Sequence, residues 1–374
     1  MIPYFALMLV PLLCCFIAFD ETQSGRILVG QTRDAKERSI ALPVFFILLT
    51  LLLALRSETL GRDLPNYRSM FESYSNLSFS TVFNPLFLSE NDWLYVALNL
   101  LFSKVSHSFQ LFVSFVAVIT ILPIAFLYCQ DRRHSAMQIA VFLSLSNFIM
   151  FFSGLRQSLA ISVGVIAYHF VKTKRLIPFL VCVIIALSFH HSGIVLLFMY
   201  PIFHVTLRRK HLLLVIPVVV LILVFNKQIF TWLDYFLVQY SEKYVSGTTD
   251  TGAYGSLILW ALFTAFCFGI TDEREMTPEL NGLRNIVLLC LTVQCFAPIH
   301  NLAMRLNYYY MIFTPVALSK CVSAASRKNR QIAYIGEAII VVFFTIYFLW
   351  VAYRSSVTGI SALDNYPYRF FWQT

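Results

Sequence analysis

The chain has 374 residues, of which 59% are hydrophobic and 13% charged, and its formal net charge is +9. A soluble domain carries roughly a quarter charged residues, so this composition excludes an ordinary soluble globular protein. The basic charge does not require nucleic acid as a partner, because Lys and Arg in cytoplasmic loops account for it. Repeated apolar runs separated by short polar or basic loops predict an all-α, polytopic helical membrane protein.

About twelve transmembrane helices are predicted from these runs. In chain order they lie near 2–19, 40–55, 109–128, 137–152, 159–171, 177–189, 193–206, 212–226, 254–270, 285–298, 304–320 and 331–352. The first run lacks a basic region and a small-residue cleavage site, so it is predicted as a membrane helix rather than a signal peptide. The segment 90–106 has helical periodicity but a short apolar run, which predicts an interfacial helix anchored by Trp93.

The basic loops orient this arrangement in the membrane. DRRH, KTKR, LRRK and SRKNR fall on the same side as the loop at 20–39, and this side holds more than half of the 28 Lys and Arg residues. The positive-inside rule makes that side cytoplasmic and places both termini outside. We therefore expect a single integral membrane domain over 1–374, with an outer-face loop at 56–108 and an outer C-terminal tail at 353–374.

Polar residues gather on the predicted outer face, although they are distant in sequence. They are Arg62, Asp63, Asn66, Tyr67, Arg68, Arg156, His190, His191, His300, Arg305 and Tyr308, with basic and aromatic residues of the tail 364–372. Arginine suits a phosphate at a membrane surface, because its fork bonds two oxygens and stays charged when partly dehydrated. The cluster predicts an anionic ligand with an apolar remainder.

Structural roles would also account for several of these residues. Arg156 lies inside an apolar run, where an uncompensated guanidinium is costly, but it could snorkel to the interface or pair with Asp63 or Glu90. Either histidine could be a satisfied hairpin residue, and the tyrosines of NYYY could form an ordinary aromatic belt. Glu337, alone in the last helix, is predicted as a packing contact, with a proton relay as the alternative.

Six segments occur in a characteristic order along the chain. They are GRDLPNYRSMF (61–71), ENDWLYVALN (90–99), GLRQSLA (154–160), FHHSGI (189–194), RLNYYY (305–310) and YPY (366–368). In this order they resemble the EpsG-like branch of the Wzy polysaccharide polymerases, which join lipid-linked repeat units of O-antigen, capsule or exopolysaccharide in the bacterial inner membrane. The resemblance implies a GT-C-like polymerase architecture with its active site, and the tail 353–374, on the periplasmic side.

The family pattern carries over to particular positions of this chain. They are Gly61, Asp63, Asn66, Tyr67, Arg156, Gln157, Phe189, His190, Ser192, Arg305, Leu306, Tyr308 and Tyr309. Position 62 departs from the pattern, because a small or hydroxyl residue is common there and this chain has Arg62. The resemblance implies that a growing glycan leaves undecaprenyl diphosphate and attaches to a hydroxyl of a newly flipped repeat unit. Such a transfer needs cationic stabilisation of the leaving diphosphate and a base.

These requirements assign roles to the outer-face residues. Arg156 and Arg305 are predicted to bind the diphosphate, with Arg62 or Arg68 assisting. His190 is the preferred base, since the ordinary histidine pKa of about 6.5 allows a neutral ring at working pH, and Asp63 is the other candidate. The predicted substrate-binding residues are Tyr67, Gln157, Tyr308 and Tyr309.

No cofactor and no metal are predicted. The arginines can stabilise the leaving group, and the predicted outer face has no DxD motif, although Glu90 and Asp92 form a loose acidic pair. The implied partners are a donor and an acceptor oligosaccharide linked to undecaprenyl diphosphate, the lipid bilayer and a chain-length-determining co-polymerase.

Two other functions stay open at this point. An O-antigen ligase would use the same donor and differs in its acceptor. A flippase or transporter of the lipid-linked oligosaccharide would place ionisable residues along a path through the membrane, often within inverted repeats. In this sequence the ionisable residues gather at one end of the predicted helices, which favours the polymerase.

Overall fold

A computed structural model confirms the all-helical prediction. The structure describes residues 2–24, 39–78, 80, 92–229, 231, 254–298, 301–359 and 363–373, without the side chains of 16–24, 275 and 301–303. Over these residues the regular elements are helices, and an isolated antiparallel bridge joins Arg56 to Phe370. The chain divides into two compact units, the first formed by Met1–Leu197 with Ile335–Thr374 and the second by Phe198–Tyr334.

The first unit contains the helices of the N-terminal half. They are α1 (Ile2–Ser24), α2 (Ala41–Leu55), α3 (Leu64–Ser75), α4 (Trp93–Ser103), α5 (Phe109–Cys129), α6 (Ser135–Ser144), α7 (Ser146–Ser153), α8 (Leu155–Lys172) and α9 (Leu176–Phe189), followed by a 3-10 helix at His191–Phe198. Most agree with the sequence prediction to within a few residues. The predicted interfacial segment 90–106 contains α4, a shorter helix.

The second unit contains the helices that follow. They are α10 (Met199–His204), α11 (Leu212–Val224), α12 (Tyr254–Ile270), α13 (Pro278–Gln294), α14 (Asn301–Met311) and α15 (Thr314–Ala325). The last long helix, α16 (Arg330–Thr358), begins in this unit and continues into the first.

In the part of the chain that the structure describes, two helices, α5 and α16, are long and apolar enough to cross a membrane. The pair α6–α7 is a third candidate, but it is bent by 61° at Leu145. The sequence predicted one continuous helix at 137–152. The break lies in the run SLSN, whose short polar side chains compete for backbone hydrogen bonds, and Ser144 Oγ donates to the Phe344 carbonyl over 2.9 Å. The total of about twelve spans stays a prediction.

Helix α3 is amphipathic and positions the candidate site. Pro65 lies in its first turn, where the missing N–H has no cost. Leu64, Tyr67 and Phe71 follow the spacing of one helix face and are buried. The Phe71 ring stacks on Phe112 of α5 with centroids 5.0 Å apart. The opposite, polar face of α3 therefore remains exposed while the helix is fixed against α4 and α5.

The C-terminal tail is bonded to the loop that precedes α3. The N–H groups of Gly61 and Arg62 donate to carbonyls of Asp364 and Leu363, each over 3.0 Å. Deeper in the unit, the Tyr368 hydroxyl donates to the Leu52 carbonyl over 2.7 Å. The tail and this loop therefore form one layer at the end of α2.

Polar contacts also fix helices away from that layer. In the first unit, the partly buried Glu337 of α16 pairs with Nδ1 of the buried His134 over 2.9 Å. In the second unit, the buried Arg284 of α13 donates to the Leu207 carbonyl and to Thr271 Oγ1, over 2.7 and 2.9 Å.

Candidate active site

Arg156 lies in the first turn of α8, because a break between helices α7 and α8 falls just before it. Gly154 separates α7 from α8, so α8 starts at Leu155 and Arg156 is its second residue. A cation near a helix N-terminus is disfavoured by the helix dipole. The structure compensates the charge with Asp92, whose Oδ2 accepts from Arg156 Nη1 over 2.7 Å. Arg156 keeps 30% of its side chain exposed, whereas Asp92 keeps 4%.

The same carboxylate also contacts a histidine. His191 Nδ1 lies 2.5 Å from Asp92 Oδ1, and the His191 side chain is 44% exposed. Burial raises the pKa of the Asp92 carboxyl, but the hydrogen bond with His191 and the charge of Arg156 lower it, and the balance holds this pKa below its ordinary value. The hydrogen bond with Asp92 in turn raises the pKa of His191. Asp92 thus joins a guanidinium and an imidazole on its two oxygens.

Aromatic residues form the wall of this cluster. The Arg156 guanidinium lies 5.7 Å from the centroid of the Tyr67 ring, which is within cation–π range. Tyr67 packs edge-on against Tyr95 of α4, with centroids 5.6 Å apart. Tyr67 and Gln157, both predicted to bind substrate, are buried. Of the two, Tyr67 contacts Arg156.

His190, the base predicted from the sequence, lies next to His191 at the end of α9. Its Nδ1 accepts from the Ser192 backbone N–H over 3.2 Å and lies 2.6 Å from Ser192 Oγ. This local turn is possible because residue 193 is glycine. A Cβ at Gly193 would lie 2.8 Å from the Ala186 carbonyl carbon. The serine and glycine that follow the two histidines therefore fix the shape of the hairpin.

Asp63, the other candidate base, contacts α7 rather than Arg156. Its Oδ2 accepts from Ser153 Oγ over 2.9 Å, and its backbone N–H donates to the same hydroxyl over 3.1 Å. Gly61 makes this approach possible, because it has a φ of +120° and a Cβ there would lie 2.1 Å from the Phe152 carbonyl oxygen. Asp63 thus joins the start of α3 to the end of α7.

The two other arginines of the loop form ion pairs at the surface. Arg62 Nε contacts Asp364 of the tail over 3.3 Å, and both side chains are more than half exposed. Arg68 pairs with Glu72 over 3.0 Å and also with Glu58. The sequence predicted that Arg62 or Arg68 assists in binding the diphosphate. In the structure each has an acidic partner that an anion would have to displace.

Arg305, Tyr308 and Tyr309 lie on α14 in the second unit, where Arg305 is partly buried and both tyrosines are buried. Asn307 anchors this helix by donating to the Cys290 carbonyl and to Gln294 Oε1 of α13, over 2.9 and 3.0 Å. Two other residues singled out from the sequence, Glu90 and His300, lie outside the described residues.

Asp92 and His191 are the residues that sequence reasoning undervalued. In the sequence, Asp92 stands out only as half of a loose acidic pair, and the predicted partners of Arg156 are Asp63 and Glu90. A signal was present, because Asp92 is an acidic residue that directly precedes the apolar helix WLYVALN. For His191 the signal was only its place beside His190.

The candidate site therefore combines a basic side chain, a buried carboxylate and two imidazoles. It lies at one end of a helical unit that contains apolar, membrane-length helices. Over the residues that the structure describes, no group of three or more His, Cys, Asp or Glu side chains is arranged to hold a metal ion. These features define a helical membrane protein with a polar site suited to an anionic ligand.

The chain belongs to the EpsG family, whose family model matches residues 39–370. The match includes all six segments on which the resemblance rested. It indicates a membrane protein with the function of a polysaccharide polymerase acting on lipid-linked sugars. No curated protein and no solved structure matches the chain.

Proposed function

We propose that this chain transfers a growing glycan from undecaprenyl diphosphate to a hydroxyl of a lipid-linked repeat unit, on the periplasmic face of the bacterial inner membrane. The product would be O-antigen, capsule or exopolysaccharide. The observation that carries the proposal is the contact of Arg156 with Asp92 and, through it, with His191. The proposal is supported by a partly exposed cation and an imidazole that both contact one carboxylate.

Arg156 is proposed to bind the diphosphate of the donor. Its guanidinium is partly exposed and lies at the N-terminal end of α8, where the helix dipole also favours an anion. Negative charge grows on the diphosphate as the glycosidic bond breaks, so a preorganised cation stabilises the transition state more than the bound donor. Arg305 is proposed as a second ligand, and Arg62 as an assisting one once it releases Asp364.

The remaining predicted residues are assigned to the acceptor and to the walls of the site. His190 and Asp63 are the bases proposed from the sequence for the acceptor hydroxyl. Tyr67, Gln157, Tyr308 and Tyr309 are proposed to bind substrate. Tyr67 and Gln157 are buried in the first unit, and Tyr308 and Tyr309 are buried in the second. A co-polymerase that sets chain length is the proposed protein partner, and no cofactor is proposed.

The proposal is tested by surface glycan from a strain that lacks this chain. The strain is complemented with wild type, Arg156→Ala, Arg305→Ala or His190→Ala, and each protein is first shown to reach the membrane in normal amount. His107→Ala is the matched control, since His107 is an exposed residue between α4 and α5. We expect single repeat units in place of long polymer for the deletion and the three site variants, and a normal ladder for the control.

Other outcomes separate the remaining functions. If the strain makes a lipopolysaccharide, deletion of a ligase would give uncapped core and accumulate long polymer on the lipid carrier. Loss of a flippase would also give uncapped core, with repeat units retained on the cytoplasmic side. A normal ladder from all three site variants would show that these residues are structural.

A further inference from the structure

The two neighbouring histidines have opposite hydrogen-bond arrangements. A backbone N–H can only donate, so the contact from the Ser192 N–H makes His190 Nδ1 an acceptor. The neutral His190 ring then carries its proton on Nε2. A carboxylate can only accept, so the contact with Asp92 Oδ1 makes His191 Nδ1 a donor. The neutral His191 ring then has its lone pair on Nε2.

This difference decides which ring can remove a proton. A general base needs a nitrogen lone pair directed at the reacting hydroxyl, together with a partner that stabilises the imidazolium once it forms. His191 has the stabilising partner, since Asp92 lies beside its Nδ1, and the basic atom of its neutral ring is then Nε2. In His190 the basic atom is Nδ1, which already accepts from the backbone.

We propose that His191, oriented by Asp92, is the general base that takes the proton from the acceptor hydroxyl. The inference rests on the proposed polymerase function and changes its base from His190 to His191. The acceptor oxygen forms a bond to the anomeric carbon of the donor, and the bond between that carbon and the diphosphate oxygen breaks. The bonding electrons leave with the diphosphate, and the hydroxyl proton moves to His191 Nε2.

Asp92 acts as a positioning residue in this step. One oxygen holds the imidazole in the productive tautomer, and the other holds Arg156, which is proposed to bind the leaving group. Among the described residues, the charged or titratable groups near His191 include Asp92 at the start of α4, Arg156 from α8 and the adjacent His190. The buried Asp92 carboxylate thereby holds the proposed base, His191, and the cation, Arg156, at a fixed separation.

The test measures polymer formation in membranes of a host that makes the lipid-linked repeat unit and carries the variant as its only copy of this chain. His191→Ala and His191→Gln are expected to lower the rate about 100-fold or more. Because His191 is 44% exposed, both variants are expected to reach the membrane in normal amount. Imidazole added to the His191→Ala membranes is expected to raise the rate of polymer formation by this variant at least about tenfold, since it supplies the missing base.

His190→Ala and His107→Ala are treated with imidazole in parallel and are expected to show no gain. A near wild-type rate for His191→Ala, no rescue of this variant, or rescue of His190→Ala instead would each overturn the assignment of His191. These results leave the polymerase function intact as long as the host still requires this chain for polymer. If deletion of the chain leaves polymer formation unchanged, the proposed function itself is wrong.

Discussion

Arg156 and Arg284 are both largely removed from water, but the structure treats their charges differently. Arg284 is fully buried, donates to a carbonyl and a hydroxyl, and stacks over the Phe268 ring at 4.2 Å. Arg156 is partly exposed and pairs with a carboxylate that also contacts a histidine. The first arginine is held by a carbonyl, a hydroxyl and an aromatic ring, and the second belongs to an ionisable network.

The acceptors around each guanidinium distinguish a structural arginine from one that is proposed to bind a ligand. Neutral acceptors around a buried guanidinium hold two segments together and leave little need for a ligand. A shared carboxylate at the edge of the protein holds the guanidinium in place but can also transmit a change in charge to the neighbouring imidazole. The same substitution at the two positions should therefore have different consequences.

Arg284→Lys is expected to have the largest effect on folding. Lysine cannot reach both the Leu207 carbonyl and Thr271 Oγ1 and stack as a planar group, so buried polar atoms lose their partners. The expected cost is about 3 kcal/mol, from about 1–3 kcal/mol for each unsatisfied buried group. The measurement is thermal unfolding of the purified protein in detergent, together with its amount in the membrane.

Arg156→Lys is the matched variant for that comparison. Lysine keeps the charge beside Asp92 but loses the planar fork, so we expect normal thermal stability and about tenfold less polymer per molecule. If Arg156→Lys instead unfolds like Arg284→Lys while the folded fraction stays fully active, the two arginines have the same structural role and the comparison fails.

Gly61→Ala is expected to have the next largest effect on stability, because a side chain at position 61 would push the loop before α3 away from α7. The new Cβ would lie 2.1 Å from the Phe152 carbonyl oxygen, and the φ of +120° strains any residue with a side chain. We expect a loss of about 2–3 kcal/mol in stability and a drop in polymer, since Asp63 and Arg62 move with the loop.

Gly269→Ala is the matched control for that variant. Gly269 lies in α12, and a Cβ there meets no described atom within 4 Å, so alanine should be neutral or slightly stabilising. Equal unfolding temperatures for Gly61→Ala and wild type would show that the loop adapts and that its backbone conformation is not required.

The helical class and most helix positions were predictable, because hydropathy and periodicity are local. The prediction at 254–270 agrees with α12, and the prediction at 40–55 agrees with α2 within one residue. The predicted helix 304–320 divides into α14 and α15, and Pro315 lies in the first turn of α15, where proline is tolerated. That proline is a local signal, whereas the break at Leu145 lies beside a tertiary hydrogen bond, from Ser144 to Phe344, that a hydropathy profile does not contain.

The candidate site was only partly predictable. Arg156 was recognisable, since a cation inside an apolar run needs a reason. Its partner Asp92 lies 64 residues earlier, and only the packing of α3 and α4 against α8 brings the two together. Likewise, the sequence marks His190 and His191 as a pair but cannot show which ring faces a carboxylate.

The smallest expected effect is the pH dependence of the stability that the contact between Asp92 and His191 contributes. The contacts of Arg284 with a carbonyl and a hydroxyl provide no such pair of titrating groups. Asp92 raises the pKa of His191, so their contact stabilises the fold fully below the unfolded-state pKa of histidine and less as pH rises through the folded-state value. We expect less than about 1 kcal/mol, because water screens a side chain that is 44% exposed. Asp92 has a lowered pKa, so its own contribution is lost only in acid, below the window between pH 6 and pH 9.

The measurement is the unfolding temperature of wild type minus that of His191→Gln, taken in detergent at pH 6 and at pH 9. The difference should favour wild type at pH 6 by about 2–3 °C or less and shrink at pH 9. His107→Gln is the matched control for removal of a histidine at an exposed position. A difference that grows with pH would mean that the neutral form of His191, rather than its cation, is favoured beside Asp92. The orientation of the ring by the carboxylate would then need another explanation.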